Sequence, residues 1–221
     1  MLIALESNMT NTLLEKLKAQ RPTAKWIIEN SGLPYLPLDI DVPTKDIMQE
    51  WGNVKEMAVR HRDNDSVLEY KNKGWSSLTL YGVSATVTTH SDAKHDWTEI
   101  KDRCKITSQW FEDTFHAENF KGRIRFMLLE PGGHILPHKD RDAIGLNEVN
   151  IAINNPAECN FHMENRGILP FKQGTAMMLD LSNRHWVTND SKEPRLHMIY
   201  HGGVPDKIVK ESYENLYYTK K

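Results

Sequence analysis

Three His-x-Asp triplets punctuate the chain: His61-Arg62-Asp63, His90-Ser91-Asp92 and His138-Lys139-Asp140. In an extended segment, residues two apart lie on the same side, so the imidazole and the carboxylate of such a triplet can reach one metal ion. Triplets this short also arise by chance, and their surroundings must choose among them. His61-Arg62-Asp63 sits in a charged stretch without strand signals, and Leu68 stands where a kinase catalytic loop would need Asn, so a solvated loop is expected there. His90-Ser91-Asp92 lies between a strand and a helix, where Ser91 or Asp92 reads more simply as a cap or turn residue. His138-Lys139-Asp140 follows a strand, a Pro-Gly-Gly turn and Pro137, and it precedes a series of short strands. That is the setting a metal site on the rim of a barrel requires. His185 then offers a third ligand from a neighbouring strand, giving two imidazoles and one carboxylate on one face of the metal. Non-haem Fe(II) oxygenases use this set and leave the opposite positions open. Ten residues later, Arg195 begins a strand in which Arg195, His197 and Ile199 alternate with Leu196, Met198 and Tyr200. Its guanidinium can therefore point inward and hold a dicarboxylate end-on.

The elements that must position these groups are mostly strands. After Gly122 the chain breaks into short runs: 123–130, 148–154, 159–164, 175–181 and 195–201, separated by turns such as Pro131-Gly132-Gly133 and Asn165-Arg166-Gly167. Even spacing of short strands argues for a β-sandwich or barrel rather than βαβ units. Residues 75–89, rich in Leu, Thr, Val and Ser, predict two further strands. The spacing of Trp97, Ile100, Cys104, Phe111 and Phe115 predicts an amphipathic helix over 97–115, the single helix inserted among the strands. One or two short helices are expected within 8–31. The prolines between Leu33 and Asp46 predict an extended stretch wrapped over other structure, and Pro205–Tyr218 reads as a closing helix.

The chain has 221 residues, a formal net charge of −2, 39% hydrophobic and 26% charged residues, which suits one folded unit and excludes disordered and fibrous classes. No global positive field draws it to nucleic acid or an anionic membrane. The opening Met1–Leu5 run meets Glu6 at once and is too short for a signal core, so a cytoplasmic protein is expected. Cys104 and Cys159 stand far apart, which argues against a disulfide scaffold or zinc ribbon.

Taken together, the segment from Arg123 through Pro131-Gly-Gly-His-Ile-Leu-Pro-His138-Lys-Asp140, then Gly174–Asp180, His185-Trp186 and Arg195–Tyr200, resembles the aspartyl/asparaginyl β-hydroxylase family of 2-oxoglutarate-dependent oxygenases. The resemblance covers roughly residues 122–203. It implies a mainly β protein with flanking helices around a double-stranded β-helix (jelly-roll, cupin-like) core. Residues 1–74 are expected to pack on that core as a brace or lid, because the proline-rich stretch cannot form a core of its own, with 75–204 forming the oxygenase core with its inserted helix and 205–221 closing it. The resemblance also implies Fe(II), 2-oxoglutarate and O2 as the reacting set. His138, Asp140 and His185 would be the iron ligands and catalytic centre, and Arg195 the clamp on the distal carboxylate of 2-oxoglutarate.

Asp140 departs from the peptide-directed aspartyl/asparaginyl hydroxylases, which lack the carboxylate ligand, and agrees with the L-proline cis-4-hydroxylase branch. It also argues against a halogenase, in which a small residue leaves that position to halide. Where the peptide-directed enzymes carry Arg and His on the next strand, this chain has Asn150 and Ala152. The expected reaction is hydroxylation of an unactivated C–H in a free amino acid such as proline or in a residue of a peptide or protein, with release of succinate and CO2.

Other residues have two readings. His197 shares the inward side of Arg195 and either lines the co-substrate pocket or fills the barrel. Arg123 and Arg125 alternate with Ile124 and Phe126, so both could hold a substrate carboxylate or form surface ion pairs. Asn150 and Asn154 occupy the polar side of their strand, where they could bond a substrate. His134 reads as a turn-edge histidine or an outer partner of the site, Trp186 as packing, and Met177 and Met178 as core filler. Two other functions fit a jelly roll: a cupin-like metal-dependent isomerase or dioxygenase that needs neither 2-oxoglutarate nor Arg195, and a non-catalytic binding module.

Overall fold

A computed structural model describes residues 27–29, 32–61, 74–88, 93–120, 122–140 and 148–218. The helices expected over 8–31 lie outside these residues apart from 27–29, and so do His90-Ser91-Asp92, Arg62 and Asp63. Strands dominate: β1 (Tyr35–Leu38), β2 (Val59–Arg60), β3 (Trp75–Gly82), β4 (Asp96–Trp97), β5 (Ile124–Leu129), β6 (His134–His138), β7 (Glu148–Ala152), β8 (Cys159–Met163), β9 (Gly167–Ile168), β10 (Ala176–Leu179), β11 (His185–Asn189) and β12 (Arg195–His201). Among the described residues they are accompanied by the α-helices α1 (Thr44–Val54), α2 (Lys105–Phe115) and α3 (Asp206–Tyr218).

The last eight strands pass back and forth between two antiparallel sheets. β5, β12, β7 and β10 are neighbours in the larger sheet, which runs β1-β10-β7-β12-β5-β3-β2 with β4 beside β3. β6, β11, β8 and β9 make the smaller one. Winding two strand ladders alternately into facing sheets is the double-stranded β-helix, and the expected jelly-roll core is the fold observed. The large sheet also takes β1 and β2 from before residue 75.

Alternation along the strands gives two separate cores. On the outer face of the large sheet Leu78, Leu80, Ile124, Phe126, Ile151, Met198 and Tyr200 pack with Ile47 and Trp51 of α1, Phe111 and Phe115 of α2, and Val209 and Tyr213 of α3. On the inner face Met127, Leu129, Ala152, Met177 and Leu179 meet Ile135, Phe161, Met163 and Val187 of the small sheet. Met177 and Met178 are thus buried filler, one in each core.

Three local expectations are corrected. Of the stretch expected to hold two strands, the described residues 75–88 form one strand ending at Gly82, because Thr79 N then bonds the carbonyl of Ala85 and the chain turns back. The helix predicted over 97–115 starts only at Lys105; Trp97 lies in β4 and residues 101–103 form a 3₁₀ turn. The extended stretch ends before Asp46, because Pro43 sits at the cap of α1, where its missing donor costs nothing. That helix lies between β1 and β2, ahead of residue 75, and among the described residues α2 is the one α-helix within 75–204. The two helices are tied together: Cys104 gives α2 no side-chain cap, and the Glu50 carboxylate accepts from the backbone N–H of Ile106 (2.8 Å) and Thr107 (2.9 Å) in its place.

Candidate active site

His138 closes β6 and His185 opens β11, directly opposite each other in the small sheet. Strict alternation would not bring His138 inside. On β11, His185 and the buried Val187 are two apart, but their partners on β6, His138 and Ile135, are three apart. The extra residue is a β-bulge, which resets the alternation so that Ile135 and His138 both face the interior. Pro137 lies within it, a place where a residue without an N–H is tolerated. The Asp140 backbone N–H then bonds the Leu181 carbonyl (3.1 Å), which brings the carboxylate back beside the two rings.

One ligand atom from each of His138, Asp140 and His185 lies within 4.8 Å of the others. The two imidazole centroids are 4.3 Å apart. Each ring is set by a backbone carbonyl: His138 Nδ1 donates to Leu136 O (2.7 Å) and His185 Nδ1 to Asn183 O (3.0 Å). A carbonyl only accepts, so the proton sits on Nδ1 and the Nε2 lone pair of the neutral ring is available to a metal. His138 Nε2 stands 3.2 Å from Asp140 Oδ1. Two acceptors so placed suit a cation between them, and the set of two nitrogens and one oxygen fits Fe(II). His185 is buried beside Phe161, and burial, then the neighbouring His138, hold its pKa below the usual value. Asp180 builds the turn that presents the Asn183 carbonyl: its carboxylate accepts from Ser182 Oγ (2.6 Å) and from Asn183 Nδ2 (2.9 Å). Sequence reasoning gave this turn no role, although Asp and Ser two residues apart is an Asx-turn signal.

The same cavity between the sheets is lined by His138, Asp140, His185, Arg195, Arg125 and Asn150. Arg195 is 3% exposed and its Nε has no hydrogen-bond partner among the described residues. A buried cation with an open donor is a ready receptor for a carboxylate. Burial pulls its pKa down to about 10, which leaves it charged at neutral pH. His197, fully buried, accepts from Arg195 Nη2 at 2.6 Å. Arg125 and Asn150 both pair with Ile199 and so share one row of the inner face. Arg125 Nη2 is 3.0 Å from His201 Nε2, and His201 Nδ1 is 3.6 Å from Glu148 Oε1.

Other candidates are placed elsewhere. Arg123 precedes β5, does not line the cavity, and its Nη1 donates to the Thr88 carbonyl (2.8 Å). Asn154 lies past β7 and braces the chain through Leu196 N (2.6 Å) and the Pro194 carbonyl (2.9 Å). His134 pairs with Thr188 away from the cavity, and Trp186 stacks on His162 at 5.0 Å. The solvated loop expected at His61 is corrected: the residue is buried, its Nδ1 is 3.0 Å from Ser77 Oγ, its ring lies 4.2 Å from Trp75, and it lines the cavity. Its backbone N–H bonds the Trp75 carbonyl, a long-range pairing that a charged local sequence conceals.

A jelly roll with this donor set and a buried arginine defines a class: a β-helix barrel equipped for one metal ion and an anionic partner. The aspartyl/asparaginyl beta-hydroxylase family matches residues 43–202, and the chain belongs to that family of 2-oxoglutarate-dependent hydroxylases. No curated protein matches the chain. Among solved structures it is similar to a prolyl hydroxylase from Trichoplax adhaerens in complex with a hypoxia inducible factor oxygen degradation domain peptide fragment, with TM-score 0.50, 10% identity, and coverage of 93% of this chain and 98% of that one. A prolyl-4-hydroxylase from Pseudomonas putida gives TM-score 0.47 at 10% identity over 83% and 100% of the two chains. A 2OG-Fe(II) oxygenase family oxidoreductase from Burkholderia pseudomallei gives 0.44 at 13% over 59% and 68%. At these identities the likeness is one of fold. Among the described residues no helix is long and apolar enough to cross a membrane.

Proposed function

We propose that the protein hydroxylates an unactivated C–H of an amino acid, either free (such as proline) or within a peptide, using His138, Asp140 and His185 to hold Fe(II) and Arg195 to hold 2-oxoglutarate. The observation that carries this is the meeting, in one cavity, of the two-histidine, one-carboxylate cluster with a buried guanidinium whose Nε lacks a partner among the described residues. When bound, Fe(II) with 2-oxoglutarate and O2 supplies the oxidising power for hydroxylation, releasing succinate and CO2. The chain's own contribution is orientation and exclusion of water. The Leu136 and Asn183 carbonyls fix both imidazoles with Nε2 available, and Phe161, Val187 and Ile135 keep the small-sheet side of the cavity apolar. His197 lies behind Arg195 on the co-substrate side.

Arg125 and Asn150 are suited to the substrate: a buried guanidinium and an amide on one row facing the cavity can hold a carboxylate and a polar neighbour. Asp140 favours the free amino acid, the class taken by the L-proline cis-4-hydroxylase branch. In this reading residues 1–74 brace the core, 75–204 carry the chemistry and 205–221 close the structure.

Anaerobic titration of Fe(II) and 2-oxoglutarate into the apoprotein is expected to produce the weak visible charge-transfer band of the chelate. A succinate-release screen over free amino acids and short peptides then identifies the substrate. No band together with no succinate from any of them would reject the assignment. Turnover without 2-oxoglutarate would favour the cupin-like reading.

A further inference from the structure

Behind the buried arginine runs a chain of hydrogen bonds whose direction chemistry dictates. A guanidinium only donates, so His197 Nδ1, 2.6 Å from Arg195 Nη2, must accept, and the imidazole proton resides on Nε2. That Nε2 lies 3.2 Å from Asn155 Oδ1, and the Asn155 amide nitrogen lies 3.1 Å from the Cys159 carbonyl, which only accepts. Both ends are therefore fixed, and reversing any link would set donor against donor or acceptor against acceptor. His197 is fully buried with the edge of Phe171 against it at 5.1 Å, so no water competes for either nitrogen. Asn155 lies in the connection between β7 and β8, and the relay thus ties the guanidinium of β12 to a different part of the barrel. Arg195 Nε takes no part in it and lacks a partner among the described residues.

We propose that Asn155 is a positioning residue which, acting through His197, holds the Arg195 guanidinium in the orientation that receives the distal carboxylate of 2-oxoglutarate. This rests on the assignment of Arg195 as the co-substrate clamp. Asn155 holds the His197 ring from its far side; without it the ring loses its anchor to the connection between β7 and β8 and is free to turn away from the guanidinium, and the clamp loses its backing.

The test measures equilibrium binding of 2-oxoglutarate to the Fe(II)-loaded protein anaerobically, and records the His197 tautomer by long-range proton–nitrogen NMR of histidine-labelled protein. Wild type is expected to bind 2-oxoglutarate with His197 protonated on Nε2 alone. Asn155→Ala is expected to weaken 2-oxoglutarate roughly tenfold, the lower end of what partners behind a ligand-holding group cost, while Fe(II) affinity stays within about twofold. Asn160→Ala is the control, since Asn160 pairs with Thr188 in the small sheet and has no place in the relay; it is expected to change neither the tautomer nor 2-oxoglutarate binding. An Nδ1–H or doubly protonated His197 in wild type overturns the proposal even if the variants do not fold. Unchanged 2-oxoglutarate affinity in Asn155→Ala, or an equal loss in Asn160→Ala, overturns it while leaving the function standing. Wild type that binds Fe(II) but no 2-oxoglutarate removes both.

Discussion

The two faces of the large sheet are built from alternate residues of the same strands, yet they do opposite work. On β5, Ile124 and Phe126 face the helices while Arg125 and Met127 face the cavity. On β12, Leu196, Met198 and Tyr200 face out while Arg195 and His197 face in. The outer face is almost wholly apolar and contributes stability by burial. The inner face carries buried guanidiniums and imidazole, which cost desolvation and are held by directed hydrogen bonds. Stability and chemistry are thus separated by a single residue step, and a substitution should disturb one or the other according to its parity.

The largest expected effect is on the inner side. His138→Ala or His185→Ala is expected to abolish iron retention, by elemental analysis, and to bring succinate release to background with little change in melting temperature. A large melting loss in either would show that the metal side is structural.

On the outer face, Phe126→Ala removes a fully buried ring 5.2 Å from Trp51 and is expected to cost about 3–5 kcal/mol by chemical denaturation. Well below its unfolding transition, this variant should still bind Fe(II) and 2-oxoglutarate.

Arg195→Met is expected to weaken 2-oxoglutarate about a hundredfold, or roughly 2.8 kcal/mol, in an anaerobic titration, with iron affinity little altered. Arg195→Lys should not restore it, because an ammonium lacks the planar fork.

Acid should separate the faces as well. Burial, as the leading cause, holds both His185 and His197 below the ordinary 6.5, so both rings stay neutral in the fold while the unfolded chain takes up protons. Their stabilising contribution is therefore complete above about pH 6.5 and lost as pH falls toward the folded values, at up to about 1.4 kcal/mol per pH unit for each. Denaturation of metal-free protein at about pH 7.5 and 5.5 checks this, and His197→Asn should shrink the difference. An unchanged difference in that variant would assign the acid sensitivity to other groups.

The smallest effect concerns the chain reversal after β12. Gly202 lies against the buried Tyr200 ring, where an added Cβ would collide with its hydroxyl and ring carbons. Gly202→Ala is expected to cost about 1–3 kcal/mol, measured by denaturation, and to leave 2-oxoglutarate affinity intact.

Much of the inner face could be read before any coordinates. The alternation of Arg195 and His197 with Leu196 and Met198 is a period-two pattern that survives because β12 is regular along its length, and Arg125 and Asn150 follow from the same rule. Arg123 fails it because it lies just outside the strand. Helix α1 was concealed by the prolines before it, since Pro43 marks a helix start as readily as an extended run. His61 was misjudged because its neighbours in the chain are charged while its neighbours in space, Trp75 and Ser77, belong to another strand.

From the sequence alone came the ligand types, the ten-residue step from His185 to Arg195, and the succession of short strands, because residue chemistry and strand periodicity are local properties. Only the tertiary structure decided that His138 faces inward, since a bulge overrides alternation and depends on the pairing of β6 with β11. It alone brought Asn155 and His197 together behind Arg195. A hydrogen bond between residues 42 apart is made by the packing of the barrel, and no local pattern encodes it.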